Sequence, residues 1–194
     1  MPHETIRIAI IIGSVREGRF GPTVANWFAD FTRQHGDFEV DVVDLADYDL
    51  PSRLTDVPEP EVASALAELT PRLAAADAFV LVTPEYNHSY PASVKALIDW
   101  HTTEWHAKPV AFVSYGGHGG GMRSVEHLRP ILAEMHAVTV RDAVSLRSPW
   151  HRFDDEGQLV NPGSVVASAK TLLGQLVWWA TALKDANAKS PYPG

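Results

Sequence analysis

The chain has 194 residues, of which 45% are hydrophobic and 21% are charged, and it carries a formal net charge of −8. Length and composition predict a soluble globular protein with a single domain over residues 1–194. The acidic balance argues against binding to nucleic acid, because neutralising phosphates requires a basic surface. The sequence has no cysteine, so disulfides, thiolate catalysis and sulfur-ligated metals are excluded.

No segment has the features of a membrane anchor or a secretion signal. The longest apolar runs, such as Ile8–Ile12 and Ala78–Val82, are too short to span a bilayer. The first residues, MPHETIRIAIII, lack a basic region followed by a long apolar segment and a small-residue cleavage site. We therefore expect a cytoplasmic protein that does not bind membranes.

The first half of the chain alternates between strand and helix patterns. Apart from Arg7, Ile6–Ile12 is an aliphatic run of the kind found in a parallel strand that is buried on both faces. A helix is predicted from Pro22 to about Gln34, where apolar residues recur at helical spacing, and Phe38–Val43 alternates like a strand. A second helix is predicted to begin at Pro60.

The second half continues this alternation. Ala78–Val82 is an apolar strand that Pro84 should end, because proline cannot donate into a strand ladder. The remaining predicted elements are, in chain order, helix Pro91–His101, strand Val110–Tyr115, helix Met122–Met135, strand Val138–Val140 and helix Val165–Leu183. Five strands separated by helices indicate βαβ units. They predict a three-layer α/β sandwich around a five-stranded parallel sheet of order 2-1-3-4-5.

The loop between the first strand and the first helix, Gly13–Thr23, has a composition that suits phosphate binding. It combines glycines and hydroxyls with Arg16 and Arg19, and it leads into a helix N-terminus, where free N–H groups and the helix dipole favour an anion. It matches neither the G-x-x-x-x-G-K-S/T nor the G-x-G-x-x-G pattern. By itself the loop leaves two interpretations open: a phosphate site, or solvated loop charges with Ser14 as a turn residue.

Two more loops should meet it at the carboxyl ends of the strands, where open α/β sheets bind their ligands. Pro84–Asn87 holds an aromatic and a carboxamide side chain on a short connection, unless it is only a turn with Tyr86 packed on a neighbour. Ser114–Gly121 contains five glycines within six positions. They would let backbone amides approach a flat ligand, and a flexible surface loop is the alternative. Together the three loops suit a mononucleotide.

Other catalytic chemistries have little support in the sequence. Ser14 does not lie in a G-x-S-x-G elbow, so a hydrolase nucleophile is not indicated. The histidines lack the spacing that would place metal ligands on one face of a helix, and we interpret them as solvated or packing residues. His118 is the exception, because its position within the glycine loop makes it a candidate contact for a nicotinamide or an acceptor.

Three segments carry a family resemblance: GSVREGRFGPTVANW, TPEYNHSYPASVKALIDW and SYGGHGGGMRSVEHLRPIL. In this order and spacing the chain resembles the NAD(P)H-dependent FMN reductases, which have a flavodoxin-like fold and include azo- and quinone-reducing members. The resemblance covers most of residues 6–142, whereas Ala96 and Ser148–Gly157 depart from the family pattern. The signature P-x-Y-N-x-x-x-P is matched by Pro84, Tyr86, Asn87 and Pro91, and G-S-x-R by Gly13, Ser14 and Arg16.

The resemblance implies an FMN site built from all three loops. The residues implied to hold the FMN phosphate are Ser14, Arg16, Arg19, Gly21, Pro22 and Thr23. Those implied to line the isoalloxazine ring are Pro84, Glu85, Tyr86 and Asn87, and those implied to cover its pyrimidine side are Ser114, Tyr115, Gly116 and Gly117. We assign no catalytic acid or base and no metal ligand.

The resemblance also implies an activity, that of an FMN-dependent NAD(P)H oxidoreductase. NADPH or NADH would deliver a hydride to flavin N5, and free flavin, a quinone or an azo compound would then be reduced. Such proteins are dimers or dimers of dimers, and a flavin-dependent monooxygenase could receive the reduced flavin. Trp100 and Trp105 are candidates for the subunit interface, with burial inside one chain as the alternative. The alternative function is an FMN-binding electron carrier or redox sensor that acts through a protein partner.

Overall fold

The computed structural model describes residues 5–36 and 38–194. Residues 1–4, which begin the N-terminal segment expected to lack a secretion signal, lie outside the described residues. Within the described residues, five strands form one parallel sheet in the order β2-β1-β3-β4-β5. The strands are β1 (Ile6–Ile12), β2 (Phe38–Asp44), β3 (Ala78–Pro84), β4 (Pro109–Gly116) and β5 (Val138–Arg147). The predicted flavodoxin-like α/β fold and its strand order 2-1-3-4-5 are therefore confirmed.

Helices cover both faces of this sheet. They are α1 (Gly21–Gln34), α2 (Pro60–Ala75), α3 (Ala92–Trp100), α4 (Met122–Glu134) and α5 (Gly163–Lys189). Pro22 and Pro60 stand in the first turns of α1 and α2, where the missing N–H costs little and the fixed φ suits a helix. None of the helices in the described part of the chain is both long and apolar enough to cross a membrane.

The last strand is longer than its apolar run suggested. The predicted strand Val138–Val140 continues to Arg147. Two charged residues end the apolar run after Val140, but beyond them Val144 and Leu146 are buried again. Because β5 lies at an edge of the sheet, its outer half alternates between buried and exposed side chains instead of remaining apolar throughout.

The central strands are packed on both faces. Ile10 and Ile12 of β1 belong to one buried cluster together with residues of α1 and α5. Ile11, Phe79 and Phe112 belong to a second buried cluster together with residues of α2, α3 and α4. Burial on both faces explains why these strands are continuous apolar runs in the sequence.

The two tryptophans after β3 have different surroundings. Trp105 is completely buried, and its ring centroid lies 4.6 Å from that of Phe79. Trp100 is half-buried, and its indole N–H donates to Pro51 O at 2.8 Å. Burial inside one chain therefore accounts for Trp105, which has no surface to offer to a second subunit.

Candidate functional site

The carboxyl ends of β1, β3 and β4 meet at one edge of the sheet, where hydrogen bonds join them. The Gly13 N–H donates to Val82 O at 2.9 Å, and the Glu85 N–H donates to Tyr115 O at 3.2 Å. The hydroxyl of Ser93, near the start of α3, donates to Gly13 O at 2.6 Å. The three loops that were predicted to converge therefore share this edge.

The first loop is closed by Arg19. Its guanidinium makes two contacts with the Asp44 carboxylate, at 2.5 and 2.6 Å, and donates to Ser14 O at 2.7 Å. The hydrogen bond from Asp44 raises the pKa of Arg19, against the opposing effect of its partial burial. Asp44 therefore neutralises Arg19, whereas Arg16, on the same loop, is exposed to solvent.

α1 begins at Gly21, within the segment predicted as the first loop, and no side chain caps its N-terminus. Its N-cap residue is Phe20, whose side chain makes no capping hydrogen bond, and its first turn has no acidic residue. A side-chain carbon at Gly21 would collide with Ser14 Oγ and would lie 2.9 Å from the Tyr115 hydroxyl oxygen. Uncapped N–H groups and the helix dipole favour an anion at such a position. Ser14 and the first turn of α1 therefore fit a phosphate group.

The second loop turns back on itself at Asn87 and His88. Tyr86 and Ser89 exchange backbone hydrogen bonds at 2.9 and 3.1 Å, and the two residues between them have positive φ angles of 48° and 75°. This is the pattern of a two-residue type I′ turn, in which asparagine and histidine are tolerated better than most residues. Burial raises the pKa of Tyr86, and the two arginines of the first loop oppose that shift. The positive charges of Arg16 and Arg19 on the first loop therefore act on the phenol of Tyr86.

Glu85 connects the second loop to α4. Its carboxylate accepts from the Arg123 guanidinium at 2.6 Å and from the Arg123 backbone N–H at 3.2 Å. A carboxylate at the first turn of a helix satisfies an unpaired N–H group and complements the helix dipole. The Glu85 side chain is therefore engaged with α4, and its backbone N–H is engaged with Tyr115 O.

The third loop is shaped by close packing against β4. Gly121 has a φ of 85°, and a side-chain carbon there would lie 2.6 Å from Ser114 Cβ and 2.7 Å from Tyr115 N. Ser114 is completely buried, and its hydroxyl donates to Gly120 O at 2.9 Å. Space is open around Gly117. The buried Ser114 hydroxyl thus stabilises the loop through its bond to Gly120 O, while Gly117 is exposed.

Tyr115 joins the third loop to the first. Its hydroxyl donates to Ser14 Oγ at 3.0 Å. The residue is 5% exposed, and burial raises its pKa to about 12. The resemblance implied that Tyr115 covers the flavin ring, but its side chain is directed at Ser14 and its carbonyl oxygen accepts from the Glu85 N–H.

The structure brings all the predicted site residues to one edge but exposes them unequally. The buried ones are Ser14, Gly21, Pro84, Ser114 and Tyr115, the half-buried ones are Arg19, Pro22, Thr23, Glu85, Tyr86 and Gly116, and the exposed ones are Arg16, Asn87 and Gly117. His118 is also exposed. Among the described residues, no group of three or more histidine, aspartate or glutamate side chains could hold a metal ion.

Three supporting residues were not predicted from the sequence: Asp44, Arg123 and Ser145. Asp44 forms an ion pair with Arg19, and Arg123 forms one with Glu85. The Ser145 hydroxyl donates to Gly120 O, which also accepts from the Ser114 hydroxyl. A signal for Asp44 was available, since it is an acidic residue at the carboxyl end of the strand next to β1. The other two contacts depend on which elements the fold brings together.

Residues 6–151 match the family model described as NADPH-dependent FMN reductase. The chain belongs to this family. It is 41% identical to an NAD(P)H-dependent FMN reductase of Schizosaccharomyces pombe over 125 residues, which are 60% of this chain and 61% of the relative. It is 31% identical to a 2-hydroxy-1,4-benzoquinone reductase of Burkholderia sp. over 164 residues, which are 80% of this chain and 86% of the relative.

The extent of these matches differs between relatives. The alignments span 61% of the Schizosaccharomyces pombe relative and 64% of an NAD(P)H-dependent FMN reductase of Nectria sp., which is less than two thirds of either. Among solved structures, an NAD(P)H:(acceptor) oxidoreductase of Paracoccus denitrificans matches 93% of this chain and 98% of its own, with a TM-score of 0.69 and 22% identity. At that identity the structural match supports the fold alone.

Proposed function

We propose that this family member is an FMN-dependent NAD(P)H oxidoreductase whose acceptor is free flavin, a quinone or an azo compound. The observation that carries the proposal is the uncapped N-terminus of α1 beside the buried Ser14 hydroxyl, which fits a phosphate group. Family membership supports the flavin and the nicotinamide donor. The relatives named as FMN reductase and benzoquinone reductase support flavin and quinone acceptors.

The phosphate of FMN would be held by the first loop and α1. Ser14 would donate from its hydroxyl, Arg16 from its guanidinium, and Gly21 and Thr23 from their backbone N–H groups. Arg19, whose charge is neutralised by its carboxylate partner, would keep the loop closed around the phosphate. The main positive charge at this end of the ligand would therefore come from Arg16 and the helix.

The isoalloxazine ring would be lined by two backbone segments, Pro84–Asn87 and Ser114–Gly117. The tight turn at Asn87 and the glycines at the end of β4 present N–H groups with little side-chain bulk, so a flat ring can approach the backbone closely. Backbone donors in this position would stabilise negative charge on the ring. Bound FMN would supply the two-electron chemistry that connects NAD(P)H with the acceptor.

We also propose a single cytoplasmic domain that assembles into a homodimer or a dimer of dimers and binds neither nucleic acid nor membranes. The family resemblance supports the assembly, and the net charge of −8 supports the absence of nucleic-acid binding. A flavin-dependent monooxygenase is proposed as one consumer of the reduced flavin. Light scattering on the purified protein tests the assembly, with a mass of two or four chains as the expected result.

The test of the activity is a titration of the apoprotein with FMN, followed by flavin fluorescence, and then anaerobic addition of NADPH. Saturable quenching followed by loss of the flavin absorbance is expected for the reductase. Quenching without bleaching by NADPH or NADH would favour the electron carrier or sensor instead. Failure to bind FMN would contradict both functions.

A further inference from the structure

The hydrogen bond between Tyr115 and Ser14 lies beneath the proposed phosphate site. It joins residues 101 positions apart, with 3.0 Å between the two hydroxyl oxygens, and the residues are 5% and 0% exposed. Gly21 packs against both partners so closely that a side-chain carbon there would collide with Ser14 Oγ. The pair is therefore enclosed by the first turn of α1, where the anion is expected.

The geometry of this bond makes Tyr115 the donor: its hydroxyl donates to Ser14 Oγ at 3.0 Å. Burial raises the pKa of Tyr115 to about 12, so the phenol is protonated at neutral pH. A serine hydroxyl that accepts one hydrogen bond still has its own proton to donate. Within the described part of the chain, Ser14 Oγ has no second hydrogen-bond partner. The Ser14 proton thus has no acceptor among the described residues.

The main chain of Ser14 is held separately from its hydroxyl. Arg19 donates to Ser14 O at 2.7 Å and also donates to both oxygens of the Asp44 carboxylate. Ser14 is therefore fixed at two points, its carbonyl oxygen and its Oγ. Of these two contacts, the one from Tyr115 acts directly on the group that would touch the ligand.

We propose that Tyr115 is a positioning residue of the phosphate site: by donating to Ser14 Oγ, it directs the Ser14 hydroxyl proton to the phosphate of FMN. The inference rests on the proposed function, because the ligand is FMN. Consecutive hydrogen bonds polarise one another, so the contact from tyrosine would also make the serine hydroxyl a better donor. The effect of Tyr115 should be confined to flavins that carry a phosphate.

The test is an equilibrium titration of Tyr115→Phe with FMN and with riboflavin, which lacks the phosphate. We expect the FMN Kd to rise about tenfold and the riboflavin Kd to change by less than about twofold. Ser14→Ala should raise the FMN Kd at least as much. In the double variant, Tyr115→Phe should add less than about a factor of two to the effect of Ser14→Ala, because the two residues act in series.

Tyr48→Phe is a matched control. Tyr48 is 8% exposed, and its hydroxyl donates to Glu68 at 2.9 Å and accepts from Arg72 at 2.6 Å. This variant loses a buried, hydrogen-bonded phenol oxygen outside the phosphate loop. It should leave the ratio of the FMN and riboflavin affinities unchanged. Thermal unfolding of each apoprotein checks that the variants are folded.

Several results would overturn the inference. Equal losses of FMN and riboflavin affinity in Tyr115→Phe would indicate a merely structural role. Should that variant not fold, Ser14→Ala decides: an unchanged preference for FMN over riboflavin would rule out the serine donor. Wild-type protein that binds neither flavin would contradict the proposed function and this inference together. Wild-type protein that prefers FMN, with the same preference in Tyr115→Phe, would contradict this inference alone.

Discussion

At the scale of single residues, Arg16 and Arg19 belong to one loop but have different surroundings. The Arg19 side chain is 19% exposed and makes two hydrogen bonds with Asp44, so its charge is already compensated. Arg16 is exposed to solvent and free of that pairing. In the proposed phosphate site, a charge-assisted contact would therefore come from Arg16, while Arg19 would hold the conformation of the loop.

Arg16→Ala should separate ligand binding from stability. We expect the variant to weaken FMN binding by about 1.5–3 kcal/mol, the range for a hydrogen bond to a charged group. The free energy of unfolding of the apoprotein should stay within about 0.5 kcal/mol of wild type, because the side chain is exposed. Fluorescence titration and urea unfolding measure the two quantities. An unchanged FMN Kd would remove Arg16 from the site.

Arg19→Ala should mainly lower the stability of the apoprotein. Loss of Arg19 leaves Asp44 without its ion-pair partner and removes the hydrogen bond to the Ser14 carbonyl. We expect the apoprotein to lose about 1–3 kcal/mol of stability in urea unfolding. Apoprotein as stable as wild type would show that the ion pair contributes nothing to the loop.

At the scale of elements, the turn between β4 and α4 depends on glycine at one position and not at another. Gly121 has a positive φ, and backbone and side-chain atoms of β4 occupy the space where its Cβ would lie. At Gly117 that space is open and φ is not positive. The glycines of this loop are therefore not equivalent.

Gly121→Ala should destabilise the apoprotein by at least about 2 kcal/mol, because the added carbon meets backbone that cannot move aside. Gly117→Ala is the matched control and should change the unfolding free energy by less than about 0.5 kcal/mol. Urea unfolding of the two apoproteins is the measurement. Equal effects would mean that the turn can rearrange around a side chain.

Hydrogen bonds of His101 connect the end of α3 to α2. Its Nδ1 lies 2.9 Å from Leu97 O and its Nε2 lies 3.1 Å from Thr70 Oγ1, so Nδ1 carries the proton and Nε2 accepts one. Burial lowers the pKa of His101, against the opposing effect of the bond to Leu97. As the pH falls, the unfolded chain binds a proton at this residue near pH 6.5, whereas the folded chain binds it only at a lower pH. Its contribution to stability therefore falls as the pH drops through about 6.5.

The expected result is a loss of stability on acidification that His101→Gln reduces. Urea unfolding at pH 7.5 and pH 5 measures it, because the unfolded state binds more protons than the folded state in this window. His151→Gln is a control, since His151 is exposed. A decrease of equal size in wild type and in His101→Gln would show that other groups cause the acid sensitivity.

At the scale of the whole molecule, the site lies at the edge of a sheet that is packed on both faces. The loops that would hold FMN continue directly from β1, β3 and β4, so a ligand bound to them stabilises the folded state as a whole. The effect follows from mass action and needs no conformational change.

FMN at one hundred times its Kd should stabilise the protein by about 2.7 kcal/mol. For a chain of this length that corresponds to an increase in Tm of about 5–10 °C. Thermal unfolding followed by circular dichroism measures the shift, and riboflavin at the same concentration should produce a smaller one. A Tm that does not respond to FMN would contradict a folded-state FMN site.

The sequence by itself determined the class of fold, most element positions and the family. Runs such as Ile8–Ile12 are apolar because both faces of the central strands are buried, and this pattern is visible without knowing what covers them. Pro22 and Pro60 marked helix starts for a local backbone reason. The family motifs lie within single segments of the chain, so their recognition needed no knowledge of contacts.

Only the tertiary structure decided how the site residues are paired. Arg19 meets Asp44 and Tyr115 meets Ser14 across 25 and 101 positions of sequence, because parallel strands end at a common edge and their register sets which side chains are neighbours. Helical and strand periodicity report on burial along one element and carry no information on the partner across the sheet. The pairing of Arg19 with a carboxylate, while Arg16 stays exposed, is therefore a property of the folded chain.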